Sequence, residues 1–273
     1  MSFMNPKSRT RDASIAFLLV GFTLACVLIL SANIVAANMA PVTPFQIPIG
    51  LILPVTIDQT ISLSQVHAGD SFDGRIAQDV PLTKHDKITH RSRVSGTIVS
   101  VVQSGDSSYV DLSLRFEKVE FHKQMIPLIT SLRALASYEA VRTAQIPFTQ
   151  ADTGTPTGWA DTTQIGGDIR FGDGGPVRNL HKETVGKGVF GGVLVHVRAA
   201  AGTDCEGPVN GDDRLQALWF FSADACGTYG LPAVHVTHTG KTAPVGVITL
   251  RFEKAEMKLD ASDAFLLRVV SLE

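Results

Sequence analysis

The sequence predicts an all-β protein, made of sandwich or small-barrel modules that follow an N-terminal hydrophobic signal or anchor helix. Three observations lead to this fold class. After a hydrophobic start, the chain divides into short runs of alternating apolar residues, such as SRVSGTIVSVV and YVDLSLRFEKVEF. Gly, Asp, Ser and Asn separate these runs, as they do in sandwiches and small barrels. A segment that begins LRFEK also occurs twice, at residues 114–120 and 250–256.

Residues 1–37 have the pattern of an export signal. Three basic residues precede an apolar run over residues 15–30, and small residues then lead to Ala37, after which we expect cleavage. An uncleaved anchor over residues 13–37 is the alternative, because this uncharged stretch is long enough to span a bilayer. A third interpretation is lipidation at Cys26. In all three cases we expect the bulk of the chain to be exported, to the periplasm or the extracellular space.

The cysteine content fits an oxidising compartment. Removal of a signal that contains Cys26 leaves two cysteines, Cys205 and Cys226. An even pair in an exported chain predicts a disulfide, which in the chain-entropy model stabilises the fold by about 3 kcal/mol. Two buried free thiols are the alternative interpretation.

Changes in composition divide the chain into five segments. They are the export signal or membrane anchor (1–37), a Pro-rich linker (38–48), a first β module (49–136), a Gly/Thr-rich connector (137–164) and a second β module with the disulfide (165–273). The two LRFEK copies are then equivalent strands near the ends of two related modules, with shared strand composition as the alternative. In each copy the apolar alternation changes phase by one residue, at Glu117–Lys118 and Glu253–Lys254, which predicts a β-bulge.

Charge and motif content exclude several classes of function. The formal net charge is only −2 and no block of Lys and Arg occurs, so we expect no nucleic-acid binding. His235 and His238 lie three residues apart, which on a strand places them on opposite faces, and no metal site is predicted. Ser222 and Asp224 are interpreted as turn capping, because no nucleophile-elbow motif surrounds them. The sequence therefore nominates no catalytic residue, no metal ligand and no cofactor.

Aromatic residues are the remaining candidates for ligand contact. Trp219 stands in the sequence LWFF, so a strand there must turn at least one aromatic side chain away from its core face. Trp159 lies in a Thr/Gly-rich segment, and Tyr229 closely follows Cys226. Exposed aromatic residues beside polar turns can stack on a sugar or contact a partner protein. A strand buried on both faces between two layers is the alternative for LWFF.

Two stretches resemble known exported proteins. The first includes Gly69, Asp70 and Phe72 in a Gly-Asp-x-Phe turn, followed by a strand that ends in Asp-Val. With the later stretch QIGGDIRFGDGGPV, it is similar to uncharacterised exported β-rich bacterial proteins of no assigned activity. Residues 50–102 are also distantly similar to the β-barrel domain of outer-membrane-complex proteins of type IV secretion. The Pro-x-Gly-Ser that this family tends to have is replaced here by residues 89–92, THRS.

These observations predict an exported, non-catalytic cell-envelope protein that acts as a structural element or as a binding module. The alternative is a carbohydrate-binding module or a carbohydrate-directed enzyme that uses exposed aromatic residues and acidic loops. The expected partner is an envelope protein or a glycan. The inner membrane is a further partner if the N-terminal segment stays uncleaved.

Overall fold

The structure of the protein is a computed structural model that describes residues 45–106, 108–149, 154–156, 159–199, 205, 214–253 and 258–271. The predicted signal or anchor and most of the predicted linker lie outside these residues. The chain from Gln46 onward forms one compact unit. Among the described residues, no helix combines the length and the apolar character needed to cross a membrane.

The described residues confirm the predicted all-β class, since they form twenty strands and one helix of seven residues, α1 (Tyr138–Ala144). Numbered along the chain, the strands are β1 (Ile52–Ile57), β2 (Ile61–Ser62), β3 (Ser71–Ile76), β4 (Val80–Pro81), β5 (Lys87–Ile88), β6 (Arg93–Gln103), β7 (Val110–Phe121), β8 (Gln124–Pro127), β9 (Thr130–Ala136), β10 (Asp161–Thr163), β11 (Ile169–Phe171), β12 (Pro176–Arg178), β13 (Thr184–Val189), β14 (Gly192–Val195), β15 (Gln216–Ala217), β16 (Gly227–Tyr229), β17 (Val234–His238), β18 (Ile248–Phe252), β19 (Lys258–Leu259) and β20 (Ala264–Val269).

The larger sheet has ten strands, in the order β16-β9-β20-β1-β3-β6-β7-β18-β17, with β8 beside β7. Its pairings are antiparallel except for the parallel pair β16 and β9. The chain runs from β8 through residues 128–129 directly into β9, which pairs with β20, and β20 pairs with β1. Because β8 in turn pairs with β7, the pairings and the chain connection from β8 to β9 together lead from β1 round to β1 again. We call this closed path of strands the ring.

The boundary predicted between two β modules does not separate two structural units. Strands β18 and β20 belong to the predicted second module, yet β18 pairs with β7, and β20 lies between β1 and β9. The physical reason is the need to satisfy strand edges. Without β20, the facing edges of β1 and β9 would lack their hydrogen-bond partners.

The two LRFEK copies lie side by side in this sheet. Strands β7 and β18 are antiparallel, with Leu114 opposite Ile248 and Ser113 opposite Thr249, whose hydroxyl oxygens are 2.9 Å apart. The β-bulge predicted in the first copy is confirmed. Ser95 pairs with Lys118 and the next residue of β6 pairs with residue 116, so Glu117 is the extra residue. The bulge predicted in the second copy involves Lys254, which lies outside the described residues.

Two apolar cores lie on the two sides of the ring. The inner core includes Phe116, whose ring packs edge-to-face against Phe72 and Phe265 at centroid distances of 5.1 and 5.2 Å. The outer core joins apolar side chains of β1, β9 and β20 to those of a six-stranded sheet, β10-β11-β12-β13-β14-β15. Strand β20 is therefore covered on both faces, which explains its nearly continuous apolar sequence AFLLRV.

A buried glutamine fastens the smaller sheet to the ring. The Gln78 Oε1 atom accepts hydrogen bonds from the backbone N–H groups of Val193 and Trp219, at 3.0 and 2.8 Å. Its Nε2 atom donates to the Val193 carbonyl at 2.7 Å. All three bonds cross between the two layers and satisfy buried backbone groups, of which the Val193 carbonyl also accepts from the Leu218 N–H.

A buried carboxyl group lies where α1 begins. Ser137 caps the helix by accepting from the Ala140 N–H, and the Asp263 Oδ1 atom accepts from the Tyr138 N–H at 2.8 Å. The other Asp263 oxygen accepts from the Asp260 N–H at 2.9 Å. Burial raises the pKa of Asp263 to about 6, because desolvation of the charged carboxylate outweighs these two hydrogen bonds.

This pKa predicts a stability that depends on pH. The Asp263 carboxyl binds its proton more tightly in the folded chain than in the unfolded chain. The protonated group therefore contributes its full stabilisation below the unfolded pKa of ~3.9, and this stabilisation is lost as the pH rises through about 6. The loss amounts to at most about 3 kcal/mol. Urea unfolding of the wild type and of Asp263→Asn across this pH range measures it. The variant should lack this component, whereas Asp260→Asn, which alters an exposed neighbour, should keep it. Parallel pH profiles for the wild type and Asp263→Asn would contradict the assignment.

Candidate functional site

The three aromatic residues predicted to contact a ligand lie in different environments. Trp159 is 64% exposed, whereas Trp219 is only 9% exposed and packs against Phe220 in the outer core. The structure therefore favours the alternative interpretation of LWFF, a segment covered on both sides. Tyr229 is half-buried, and its hydroxyl oxygen accepts a hydrogen bond from the Cys226 N–H at 3.0 Å. Of the three, only Trp159 presents most of its surface to solvent.

Trp159 lies near two phenylalanines at one end of the smaller sheet, because its carbonyl oxygen approaches Gly172, the residue after Phe171. We call Phe148, Trp159 and Phe171 the aromatic rim. Phe148 is 48% exposed and packs edge-to-face against Phe171 at 6.5 Å. Its N–H donates to the Asp161 carbonyl, two residues beyond Trp159 in the chain. The guanidinium of Arg178 lies 5.6 Å from the centre of the Phe171 ring, a cation–π distance.

A buried arginine holds the turn behind the rim. Arg170 is fully buried, and its Nη2 atom is 2.7 Å from the Asp173 Oδ1 atom. Its Nε atom also donates to the Gly172 carbonyl at 3.4 Å. Burial lowers the pKa of Arg170, an effect that its ion pair with Asp173 opposes. The acidic turn GDGG is thus bound to an arginine of its own chain.

Close backbone packing fixes the position of Trp159. A Cβ atom on Gly172 would lie 2.7 Å from the Trp159 carbonyl oxygen, and one on Gly188 would lie 1.8 Å from the Gly172 carbonyl oxygen. Only glycine fits at such distances, and Gly172 also has a positive φ of 63°. The backbone that carries the exposed indole is therefore held by contacts on the inner side of the turn.

The predicted disulfide is present. Cys205 and Cys226 are bonded, with their Cα atoms 5.9 Å apart. The Cys205 sulfur lies 3.4 Å from the carbonyl oxygen of Arg133, a buried residue of β9. Burial lowers the pKa of Arg133 to about 10, and its Nη2 atom donates to the carbonyl oxygens of Arg198 and Ala223. The disulfide therefore anchors a polar cluster between the ring and the smaller sheet.

Ser222 and Asp224, which the sequence predicts to cap a turn, meet in this cluster through a bond between their side chains. Ser222 is fully buried, and its Oγ atom donates to the Asp224 Oδ1 atom at 2.9 Å. Asp168 accepts from the Ala223 N–H at 2.9 Å, and burial raises the pKa of this carboxyl group. A Cβ atom on Gly166 would lie 1.9 Å from the Ser222 oxygen, so no substrate atom fits on that side. The cluster braces the turn at residues 222–226.

The histidines of β17 have separate partners. The His235 Nε2 atom is 3.2 Å from a Glu253 carboxylate oxygen, and the His238 Nε2 atom is 3.4 Å from the Pro244 carbonyl oxygen. Within the described part of the chain, no three His, Cys, Asp or Glu side chains are grouped as metal ligands.

Sequence reasoning missed two of the three rim residues. Phe148 lies in the predicted connector, and Phe171 follows it by more than twenty residues. They meet because Pro147 bridges to Thr162 and Asp161 pairs with Phe171. No local sequence pattern indicates such pairings between short strands. The one feature that could have suggested an exposed aromatic residue was Phe148, an isolated phenylalanine in the predicted connector.

No protein-family model, curated protein or solved structure matches this chain. The resemblance to exported bacterial proteins and to the secretion-complex domain therefore stays a prediction.

The disulfide generates a direct prediction. The double variant Cys205→Ser, Cys226→Ser should lower the free energy of unfolding by about 3 kcal/mol, because the unfolded chain regains the entropy of a closed loop. Urea unfolding of wild type and variant measures the difference. Reductant should destabilise the wild type by a similar amount and leave the variant unchanged. A loss below about 0.5 kcal/mol would show that the cluster holds the turn without the disulfide.

Proposed function

We propose that the protein is an exported, non-catalytic binding module of the cell envelope, and that the aromatic rim is its binding surface. The observation that carries the proposal is the exposure of Trp159, whose carbonyl group packs against the turn at residues 170–173 that the buried Arg170 holds. In this proposal the ring of strands, in the small-barrel form of the predicted fold, is the scaffold, and the smaller sheet presents the rim.

Export is supported by two independent features. The basic and apolar pattern of residues 1–37 is typical of an export signal cleaved after Ala37, or of an anchor over residues 13–37. The Cys205–Cys226 disulfide is compatible with an oxidising location. An envelope location follows from these features, either periplasmic or extracellular.

A binding role is supported by how the rim is built. An aromatic ring contributes a large contact area, and ordering it on binding costs little when its backbone is already held in place. Here the Trp159 carbonyl packs closely against Gly172, in the turn that the Arg170–Asp173 ion pair and the contact with Gly188 hold. Arg178 adds a charged group beside the rings, which gives the surface a polar partner for recognition.

A non-catalytic role is supported by the state of the groups that could do chemistry. The serine and carboxylates of the disulfide cluster bond to each other or to backbone groups, and Ser222 has a tightly packed neighbour at Gly166. A nucleophile needs an adjacent base and space for the reacting atom. At Ser222 the Asp224 carboxylate is adjacent, but the close approach of Gly166 leaves no space for a reacting atom on that side.

A glycan is the second candidate ligand, favoured by the exposed indole of Trp159. The face of an aromatic ring can stack on a sugar, and neighbouring polar groups can fix the orientation of its hydroxyls. Asp161 and Arg178 lie in the strands that flank the rim. A carbohydrate-directed enzyme would require in addition a pair of carboxylates facing the same sugar.

The rim is tested by Trp159→Ala, with Leu180→Ala as the matched control. Leu180 is 76% exposed and lies in the turn between β12 and β13, at the other end of the smaller sheet. Binding is measured on glycan arrays and by co-sedimentation with isolated cell wall. In cells, a photo-crosslinking amino acid at position 148 reports a protein partner. We expect Trp159→Ala to weaken binding by about tenfold or more, which corresponds to ~1.4 kcal/mol, and Leu180→Ala to change it less than about twofold.

The outcomes separate the two ligands. Glycan-array signal lost in Trp159→Ala identifies a glycan, whereas a crosslinked protein adduct that requires Trp159 identifies an envelope protein. Equal binding by the wild type and Trp159→Ala in all three measurements would show that the rim is not the binding surface.

A further inference from the structure

Strand β6 extends beyond β3, its neighbour on one side. It has eleven residues, but only residues 93–97 pair with β3. Ile98 then exchanges two hydrogen bonds with the turn before β3, since it donates to the Asp70 carbonyl and accepts from the Gly69 N–H, both at 2.8 Å. Among the described residues, no strand pairs with residues 99–103 on this side.

The register of β6 against β7 identifies the groups on this free edge. Ile98 is opposite Leu114 and Ser100 is opposite Ser113, so Val99 is an extra residue that shifts the alternation. Backbone groups of successive strand residues point to opposite sides. The backbone N–H and C=O groups of Ile98 point away from β7. After the bulge, the backbone groups of Ser100 and Val102 point towards β7. Val101 and Gln103 therefore direct their N–H and C=O groups outward.

A groove of about 500 Å³ lies along this edge. Its lining is Leu63, Ser64, Val66, His67, Ala68, Ser100, Val101, Gln103 and Val110. The wall opposite the strand is a turn that hydrogen bonds hold in place, because the His67 N–H donates to the Asp70 Oδ2 atom at 2.8 Å and the Val66 N–H donates to the Ser62 carbonyl at 3.0 Å. The outward groups of Val101 and Gln103 thus face a preformed groove with an apolar floor.

The charges around the groove are acidic. None of its lining residues is Lys or Arg. Asp70 lies at the closed end, and Asp106 follows Gln103 at the other. Hydrogen bonds from the Ser104 and Ser108 hydroxyls lower the pKa of Asp106 to about 2, so it is charged at neutral pH. A ligand with a basic flank would complement both ends.

An open edge of this kind is unusual in a folded protein. Soluble proteins protect free strand edges with Lys, Pro or a covering element, because a row of unpaired N–H and C=O groups recruits other chains. Residues 99–103 read VSVVQ, and the side chain of Val102 is 56% exposed. The edge carries neither Lys nor Pro.

We propose that this groove binds an extended peptide segment of a partner protein, which adds as a strand to the edge of β6 between Ile98 and Gln103. Its backbone pairs with Val101 and Gln103, and alternate apolar side chains enter the groove against Leu63 and Val66. A basic residue at one end faces Asp106. The site accepts about five residues, because a strand advances ~3.3 Å per residue along its partner. This binding is separate from that of the aromatic rim.

The test begins by selecting peptides from a random twelve-residue library on the purified full chain. Selected peptides are synthesised, and amide hydrogen exchange is measured at single-residue resolution with and without each peptide. We expect the N–H groups of Val101 and Gln103 to exchange rapidly in the free protein and at least about tenfold more slowly with peptide. The selected sequences should carry net positive charge and alternate apolar residues.

Two controls separate edge pairing from contact with the groove alone. In a peptide paired with β6, every second backbone amide faces the edge of β6. N-methylation of these amides should weaken binding about tenfold or more, whereas N-methylation of the intervening amides should change it less than about twofold. In the protein, Val101→Pro removes one outward N–H and leaves the bonds of its neighbours to β7 intact. Val102→Ala is the matched control, because its side chain is not part of the lining. Trp159→Ala should bind these peptides as the wild type does. The test of the β6 groove is therefore independent of the outcome for the aromatic rim.

Three results would overturn the proposal. One is the absence of any peptide enriched over selection on Val101→Pro. Another is peptide binding without protection of Val101 and Gln103. The third is protection that appears without peptide and rises with protein concentration, which would assign the edge to a second copy of the chain.

Discussion

The fold depends on the position of β20 between β1 and β9. This strand lies at the end of the chain, while its two neighbours lie within the first half. Strand β20 supplies hydrogen-bond partners to both edges and contributes Phe265 and Leu267 to the inner core. Because a free edge and an uncovered apolar face each cost free energy, the ring closes only when β20 has joined it.

The same strand connects the ring to the smaller sheet. Ala264 and Leu266 alternate with the inner-core residues and face the outer core. There they meet the smaller sheet, which Gln78 and the disulfide cluster hold against the ring by bonds to buried backbone groups. The aromatic rim lies at the end of that sheet, beside the turn that Arg170 holds through Asp173. The position of Trp159 therefore follows from a chain of contacts that begins in the ring, whereas the β6 groove belongs to the ring itself.

Features with a local signature were predictable from the sequence. Alternating apolar runs indicated strands, the pair of cysteines indicated the disulfide, and the phase change at Glu117 located a β-bulge. Pairings between distant segments left no such signature. The pairing of β7 with β18 places the two LRFEK copies in one sheet, although composition suggested two modules. Trp219 is buried and Trp159 is exposed because a second layer covers only the first of them. The sequence could therefore nominate both as ligand contacts, but it could not predict which of the two is exposed. Whether the two copies reflect a duplication stays a hypothesis.

The most direct test of this architecture is to express residues 45–136, the first predicted module, without the rest of the chain. We expect this segment to give no dispersed amide spectrum and no cooperative urea transition, because β18 and β20 are missing from the ring. A dispersed spectrum with a cooperative transition would contradict it, and would show that the first half of the chain folds as an independent module.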